Sequence, residues 1–255
     1  MTEAQYKEIE DCFPKHRKPA GISNLDALNA ALYVLENGIK WRAMPKEYGH
    51  WHTIYTRISR WAKSGVLQRS FLRLQESGVI RIDVSIVALD STSIKVHPDG
   101  MGALKKGGKQ AIGKSRGGWN TKVHLVAASD RNAVTFALSS GEDGDAPEGR
   151  KLLEARGYVN KPTYLLMDRA YEGDNTRALA MELGYIPVVP PKRNRLNPWK
   201  YDTELYKLRN QVERLFRRIK RFRRIFTRYD KLDVLFLAFL FLALIVDALA
   251  YVNRP

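Results

Sequence analysis

Three acidic residues stand out by position: Asp90 in VALDST, Asp168 in YLLMDRAY and Glu213 in LRNQVERLFRRIK. Each lies where a different secondary-structure element would deliver one carboxylate. Hard divalent cations such as Mg²⁺ take oxygen ligands, and in-line attack on a phosphodiester is served by one ion on the nucleophile and a second on the leaving oxygen. The chemistry this trio could perform is therefore two-metal phosphoryl transfer. Either aspartate alone would be ordinary, because an Asp after an apolar strand is commonly a turn or cap residue. Two at matching strand ends weaken that reading.

Glu213 comes with neighbours. At about 100° per residue, a continuous helix over 203–228 places Tyr206, Arg209, Glu213 and Lys220 within a sector of about 60°. Leu208, Val212, Leu215, Ile219, Phe222 and Phe226 form a separate apolar stripe on the same wheel. Arg209 and Glu213 could be no more than an i, i+4 pair, but such a pair does not require Tyr206 and Lys220 to share the stripe. In the phosphoryl-transfer reading Glu213 completes the metal ligands, Arg209 and Lys220 neutralise phosphates, and Tyr206 stacks or hydrogen-bonds beside the strand.

The elements that must position these groups follow from apolar periodicity. Short runs at 86–89, 122–128 and 134–138 read as three strands, followed by a helix at 146–156, a strand at 163–167, a helix at 174–183, a strand at 186–189 and the long helix at 203–228. The order β-β-β-α-β-α-β-α is that of a ribonuclease H-like fold, an α/β (α+β) mixed sheet flanked by helices. It would bring the ends of the first and fourth strands together, and with them Asp90 and Asp168. Ahead of it, residues 1–78 read as a small helical domain of helix-turn-helix type, with one stripe of Leu25, Leu28, Leu32 and Leu35 and another of Ile54, Ile58 and Trp61. Its Trp41, Trp51, Tyr55 and Trp61 are expected mainly in its core. Residues 79–255 form the second expected domain. The glycine-rich segment at 98–120, with cations at 105, 106, 109, 114 and 116, shows no periodicity and reads either as a mobile loop that closes on DNA or as a disordered hairpin extension. Asp143 and Asp145 precede a helix and are expected to cap it.

Charge and composition agree with an anionic partner. The chain carries 43 Lys and Arg against 27 Asp and Glu, a formal charge of +16, with a pI near 9.9. Nucleic acid is the first partner to consider at such values. Residues 192–231 alone hold fifteen basic against four acidic side chains. One cysteine, Cys12, excludes an intramolecular disulfide and fits a cytosolic setting. The apolar run at 234–246 is too short by itself to span a bilayer, and a buried C-terminal helix is expected, with no membrane partner.

Here the chain resembles a family. Tyr206, Arg209, Glu213 and Lys220 match the Tyr-x2-Arg-x3-Glu-x6-Lys signature of DDE transposases from bacterial insertion sequences, and Asp90-Ser91-Thr92 and Asp168-Arg169-Ala170-Tyr171 are similar to that family's first two acidic motifs. Residues 41–61 and 113–124 are similar to insertion-sequence family five, within the IS4-like superfamily. The resemblance implies Asp90, Asp168 and Glu213 as catalytic metal ligands for two Mg²⁺ ions, with Mn²⁺ able to substitute. Tyr206, Arg209, Lys220, Arg217, Arg169 and Arg116 become expected DNA contacts. It further implies hydrolysis at terminal inverted repeats and joining of 3′-hydroxyl ends to target DNA by a homo-oligomer, in a cytoplasmic, nucleoid-associated bacterial setting. A domesticated DNA endonuclease and a non-catalytic DNA-binding regulator are the alternatives. A pure binder would gain nothing from carboxylates set against phosphates.

Overall fold

The computed structural model describes residues 1–15, 21–103 and 108–252. Lys105 and Lys106, two cations of the glycine-rich segment, lie outside the described residues. The chain forms two compact units: residues 1–81, 96–110 and 218–255 make the first, and residues 82–95 and 111–217 the second. Residues 218–255, expected within the second domain, thus belong to the same unit as the N-terminal helices.

The first unit is helical. Ser23 caps the Asn24–Asn37 helix in a reciprocal arrangement with Asp26, and Gly38 ends it in the left-handed conformation at φ 66°. Leu28, Val34 and Leu35 on this helix, Ile54, Ile58 and Trp61 on the Trp51–Lys63 helix, and Leu67, Phe71 and Leu74 on the Val66–Glu76 helix are buried. Trp41 and Trp61 are core residues as expected, whereas Trp51 and Tyr55 are half-buried. Against these three helices packs a longer one, Asp233–Val252. By length and composition it could cross a membrane, but 67% of its Asp233–Ala250 stretch is buried within the protein. Its charged residues are tied down as well. Asp247, fully buried, accepts from Arg218 Nε at 2.8 Å and Nη2 at 3.0 Å and pairs with Arg221 at 2.7 Å, while Asp233 pairs with Arg228 at 2.7 Å. A core helix accounts for these pairings.

The second unit is built on a mixed sheet. Its strands are β1 (Ile86–Val96), β2 (Gly113–Ser115), β3 (Gly118–Ala127), β4 (Ala133–Ser140), β5 (Thr163–Met167) and β6 (Tyr185–Val188). The order runs β2-β3-β1-β5-β6, with β4 also on β3. Pairs β1/β3 and β3/β4 are antiparallel, and β1/β5 and β5/β6 parallel. This is the strand order and direction of the ribonuclease H-like layout. The Asp145–Arg156 helix packs on β3 and β4 and on the Asp174–Glu182 helix, which in turn covers β6. Val87, Leu89, Val126, Leu152, Leu153, Leu165, Met167 and Tyr185 form the core between these layers.

Three expectations are corrected. First, β1 does not stop at residue 89 but runs to Val96. The reason is visible in burial: Val87, Ala88 and Leu89 are buried consecutively where strands flank both edges, and beyond Asp90 burial alternates through Ile94 and Val96. Second, part of the glycine-rich segment is ordered, because residues 113–119 form an antiparallel hairpin with β3, Gly113 opposite Asn120. Third, the long helix is three pieces, Thr203–Lys207, Asn210–Lys220 and Arg223–Phe226. The first break is tightened by three-residue hydrogen bonds from Arg209 N to Tyr206 O and from Val212 N to Arg209 O, and the second comes at Phe222, whose ψ of 111° is extended. Leu208 and Phe226, expected in the buried stripe, are consequently 37% and 64% exposed. Val212, Leu215, Ile219 and Phe222 are buried as expected.

Candidate active site

The register of the sheet decides where the acids lie. The parallel ladder between β1 and β5 ends at Leu89 opposite Met167, so Asp90 and Asp168 are each the next residue along. The side-by-side placement expected of strand ends is retained, although Asp90 lies within β1, opposite Leu125 of β3. Asp168 departs from the strand into a tight turn over Arg169–Tyr171, which it caps by accepting from Ala170 N at 2.8 Å.

Arg209 ties the remaining acid to this pair. Its Nη1 donates to Asp90 Oδ2 at 2.8 Å and its Nη2 to Glu213 Oε1 at 2.5 Å. The four-residue spacing lets the guanidinium reach Glu213, while the packing of this segment against β1 brings it to Asp90. Tyr206 sits close by, with the Arg209 guanidinium 5.9 Å from its ring centre. Among the described residues no three His, Cys, Asp or Glu side chains are grouped so as to hold a metal ion. Like-charged carboxylates repel, and here the positive charge between Asp90 and Glu213 is a guanidinium.

Burial sets the protonation of Asp90. Desolvation pushes its carboxyl up to about 6, and the neighbouring Asp168 adds to the rise. The Ser91 amide, which donates to Oδ1 at 2.8 Å, and Arg209 oppose it only in part. Tyr206 is likewise raised, chiefly by burial and against the pull of Arg209. For Asp90 the sign is fixed by a folded value above the unfolded one. Its contribution to stability is fully present below about pH 3.8 and is lost as pH rises through about 6. In EDTA, the Asp90→Asn variant should therefore lose less stability than the parent chain between pH 4 and 7, by on the order of 2–3 kcal/mol. Urea unfolding across that range reads the difference, and parallel pH profiles would reject the raised value.

The cations expected to face DNA fare differently. Arg116 is exposed on the hairpin between β2 and β3, Arg169 is exposed beside Asp168, and Arg217 is exposed one turn beyond Glu213. Lys220 ends the Asn210–Lys220 helix, is half-buried and counts with the first unit. Burial lowers its pKa. Many of the basic residues at 192–231 hold acidic partners, among them Lys192, Arg195, Lys207, Arg209, Arg218, Arg221, Arg224 and Arg228. Most of those partners, such as Glu172, Asp90 and Asp247, lie outside the run, which is why the sequence shows its sign as unmixed.

Two residues close to the acids were not expected there. Asp145 does not cap its helix, since Gly144 holds that position. Its Oδ1 accepts from Ser91 Oγ at 2.8 Å and from Lys122 Nζ at 2.9 Å, so it braces the residue next to Asp90. Asp143 instead accepts from Ser140 N at 2.8 Å. The second is Tyr171, three residues past Asp168, which the tight turn folds into the core. Its spacing from Asp168 was the available signal.

Comparison with known proteins follows the same lines. Residues 83–247 match the family model described as "Transposase DDE domain", and residues 1–71 match one described as "Putative transposase of IS4/5 family". Over 124 residues the chain is 32% identical to "Putative transposase for insertion sequence element IS6501" of Brucella ovis, covering 48% of this chain and 93% of that protein. It is 35% identical over 89 residues to "Insertion element IS402 uncharacterized 16.2 kDa protein" of Burkholderia cepacia, covering 32% of this chain and 60% of that protein. A solved structure of the Mos1 mariner paired-end complex with Mn aligns with 99% of this chain and 87% of its own at 12% identity, with a TM-score of 0.30. With the family model covering both strand aspartates and the helix of Glu213, the chain belongs to the transposase DDE-domain family and is a DNA transposase, an enzyme that cuts DNA and transfers strands.

Proposed function

We propose that this transposase acts on the terminal inverted repeats of an insertion sequence, cutting them by metal-dependent hydrolysis and joining the freed 3′-hydroxyl ends to target DNA. Asp90, Asp168 and Glu213 are the residues that hold the divalent cation cofactor, as two Mg²⁺ ions with Mn²⁺ an acceptable substitute. The donor set fits: all three are hard oxygen ligands, and the Asp90 carboxyl carries an electrostatic deficit that a cation would relieve. When bound, the ions supply Lewis acidity for the attacking water and the leaving oxygen.

The observation that carries this reading is the shared end of the β1/β5 ladder, where Asp90 and Asp168 stand abreast, with Glu213 joined to them through Arg209. For Glu213 to ligate beside the aspartates, Arg209 must give up its bridge. Its fork geometry suits a phosphate oxygen pair equally well, so the scissile strand would receive the guanidinium that the carboxylates release. Tyr206 flanks that position. Arg169, Arg217, Arg116 and Lys220 contact the DNA backbone, and two or more copies of the chain hold the paired ends.

Nicking of a supercoiled plasmid carrying the gene with its flanking DNA tests the proposal. Cuts at the repeat ends are expected in Mg²⁺ and none in EDTA. Equal cutting in EDTA would remove the cation from the mechanism.

A further inference from the structure

Two aromatic residues of the first unit open onto a cleft. Trp51 and Tyr55, expected mainly in the helical core, are only half-buried and line a cavity of about 1050 Å³ that lies wholly within that unit. The rest of its lining comes from stretches far apart in sequence, at 40–42, 99–103 and 224–235. The deeper part is apolar or charge-balanced. Trp41 and Leu235 are buried, the Trp41 ring meets that of Tyr55 edge-on at 5.5 Å, and the buried Arg224–Asp230 pair adds no net charge.

The exposed part of the lining is cationic. Lys40, Arg42 and Lys231 are exposed against one exposed acid, Asp99, which lies 3.8 Å from Lys40. The Arg42 guanidinium stands 5.4 Å from the Trp51 ring centre. Single aromatic or charged residues scattered on a surface need no ligand, but here both kinds are gathered on one concavity from separate segments. Rings held beside exposed cations suit a ligand that carries flat bases along a phosphate backbone, the bases stacking and the phosphates pairing with Lys and Arg. A duplex keeps its bases stacked on one another and offers only their edges in the grooves. An unpaired strand can splay its bases onto aromatic side chains.

We propose that this cleft binds single-stranded DNA, with Trp51 and Tyr55 stacking unpaired bases and Arg42 and Lys231 holding the phosphates. Such a ligand arises in the reaction itself, because cutting and transferring one strand leaves stretches of its complement unpaired beside the break. Binding there needs no metal ion and none of Asp90, Asp168 or Glu213, which belong to the other unit.

Fluorescence polarisation of a labelled oligothymidylate on the full chain, in EDTA, tests the site apart from cleavage. Trp51→Ala should weaken single-strand binding about tenfold or more and leave affinity for a blunt duplex within about twofold of the parent. Trp51→Phe keeps a ring and should bind the single strand nearly as the parent does, which separates stacking from damage to the fold. Lys231→Gln should flatten the salt dependence of single-strand binding, by about 0.7 in the slope of log affinity against log salt. Single-strand affinity within about twofold of the parent in Trp51→Ala, or an equal loss for the duplex in a variant that melts like the parent, overturns the proposal. Lys231 is exposed, so its variant decides the matter where Trp51→Ala fails to fold: an unchanged salt slope for the single strand overturns the proposal as well.

Discussion

Asp168→Asn should retain DNA binding and lose strand cleavage in Mg²⁺ by about a thousandfold or more. The substitution is nearly isosteric, and its amide oxygen can still accept from Ala170 N, so the turn over Arg169–Tyr171 should hold. What disappears is the negative charge. A cation's stabilisation of the transition state is worth several kcal/mol, and each 1.36 kcal/mol corresponds to about tenfold in rate. DNA binding rests on the basic surface and loses a repulsive carboxylate, so affinity should stay level or rise. Cleavage assays on end-containing DNA, with gel-shift titrations beside them, read both effects. Cleavage at the parent rate would take Asp168 out of the active site.

The largest expected loss of stability lies in the other unit, at Arg224→Ala. Arg224 and Asp230 are both almost fully buried, and the guanidinium donates from Nε at 3.1 Å and from Nη2 at 3.0 Å to the two carboxylate oxygens. Its Nη1 reaches Ile39 O at 2.9 Å, and the group lies 5.2 Å from the ring centre of Phe239. Deleting one member of a buried pair leaves the other charged and desolvated, at a cost of about 3–5 kcal/mol. Many domains have only about 5–15 kcal/mol in total. Arg224→Met combined with Asp230→Leu should cost much less, because no charge is stranded. Denaturant unfolding of both variants decides the matter: a single-variant loss under about 1 kcal/mol, or one matched by the double variant, would mean that the pair is not what holds this region.

Arg224 also shows why the basic run was hard to interpret. Fifteen cations against four acids point to an anionic partner, yet Arg218, Arg221 and Arg228 are bound to Asp247 and Asp233 on the C-terminal helix, and Lys192 and Arg195 to buried Glu172. Charge pairing across many residues leaves no local trace. Helix continuity misled for a related reason. No proline or glycine interrupts 203–228, so propensity alone favours one helix, and the breaks near Leu208 and Phe222 are set by packing rather than by a breaker residue. Tyr206 still meets Arg209, but across a tightened turn instead of along one helical stripe.

Where local rules suffice, the elements were legible. The strand at 163–167 coincides with β5, because TYLLM is a short apolar run that a parallel interior strand buries almost throughout. The strand and helix order gave the sheet its class, and the positions of Asp90, Asp168 and Glu213 on three separate elements could be read from apolar periodicity.

Residue types and their periods thus determined which elements form and which acidic side chains they carry, since both depend on interactions within a few residues. Only the tertiary structure decided that Leu89 pairs with Met167, setting Asp90 beside Asp168, that Arg209 bridges Asp90 to Glu213, and that Tyr171 turns inward under Gly149. Those outcomes depend on register and burial between segments distant in sequence, where a shift of one residue would have sent each carboxylate to the opposite face of the sheet.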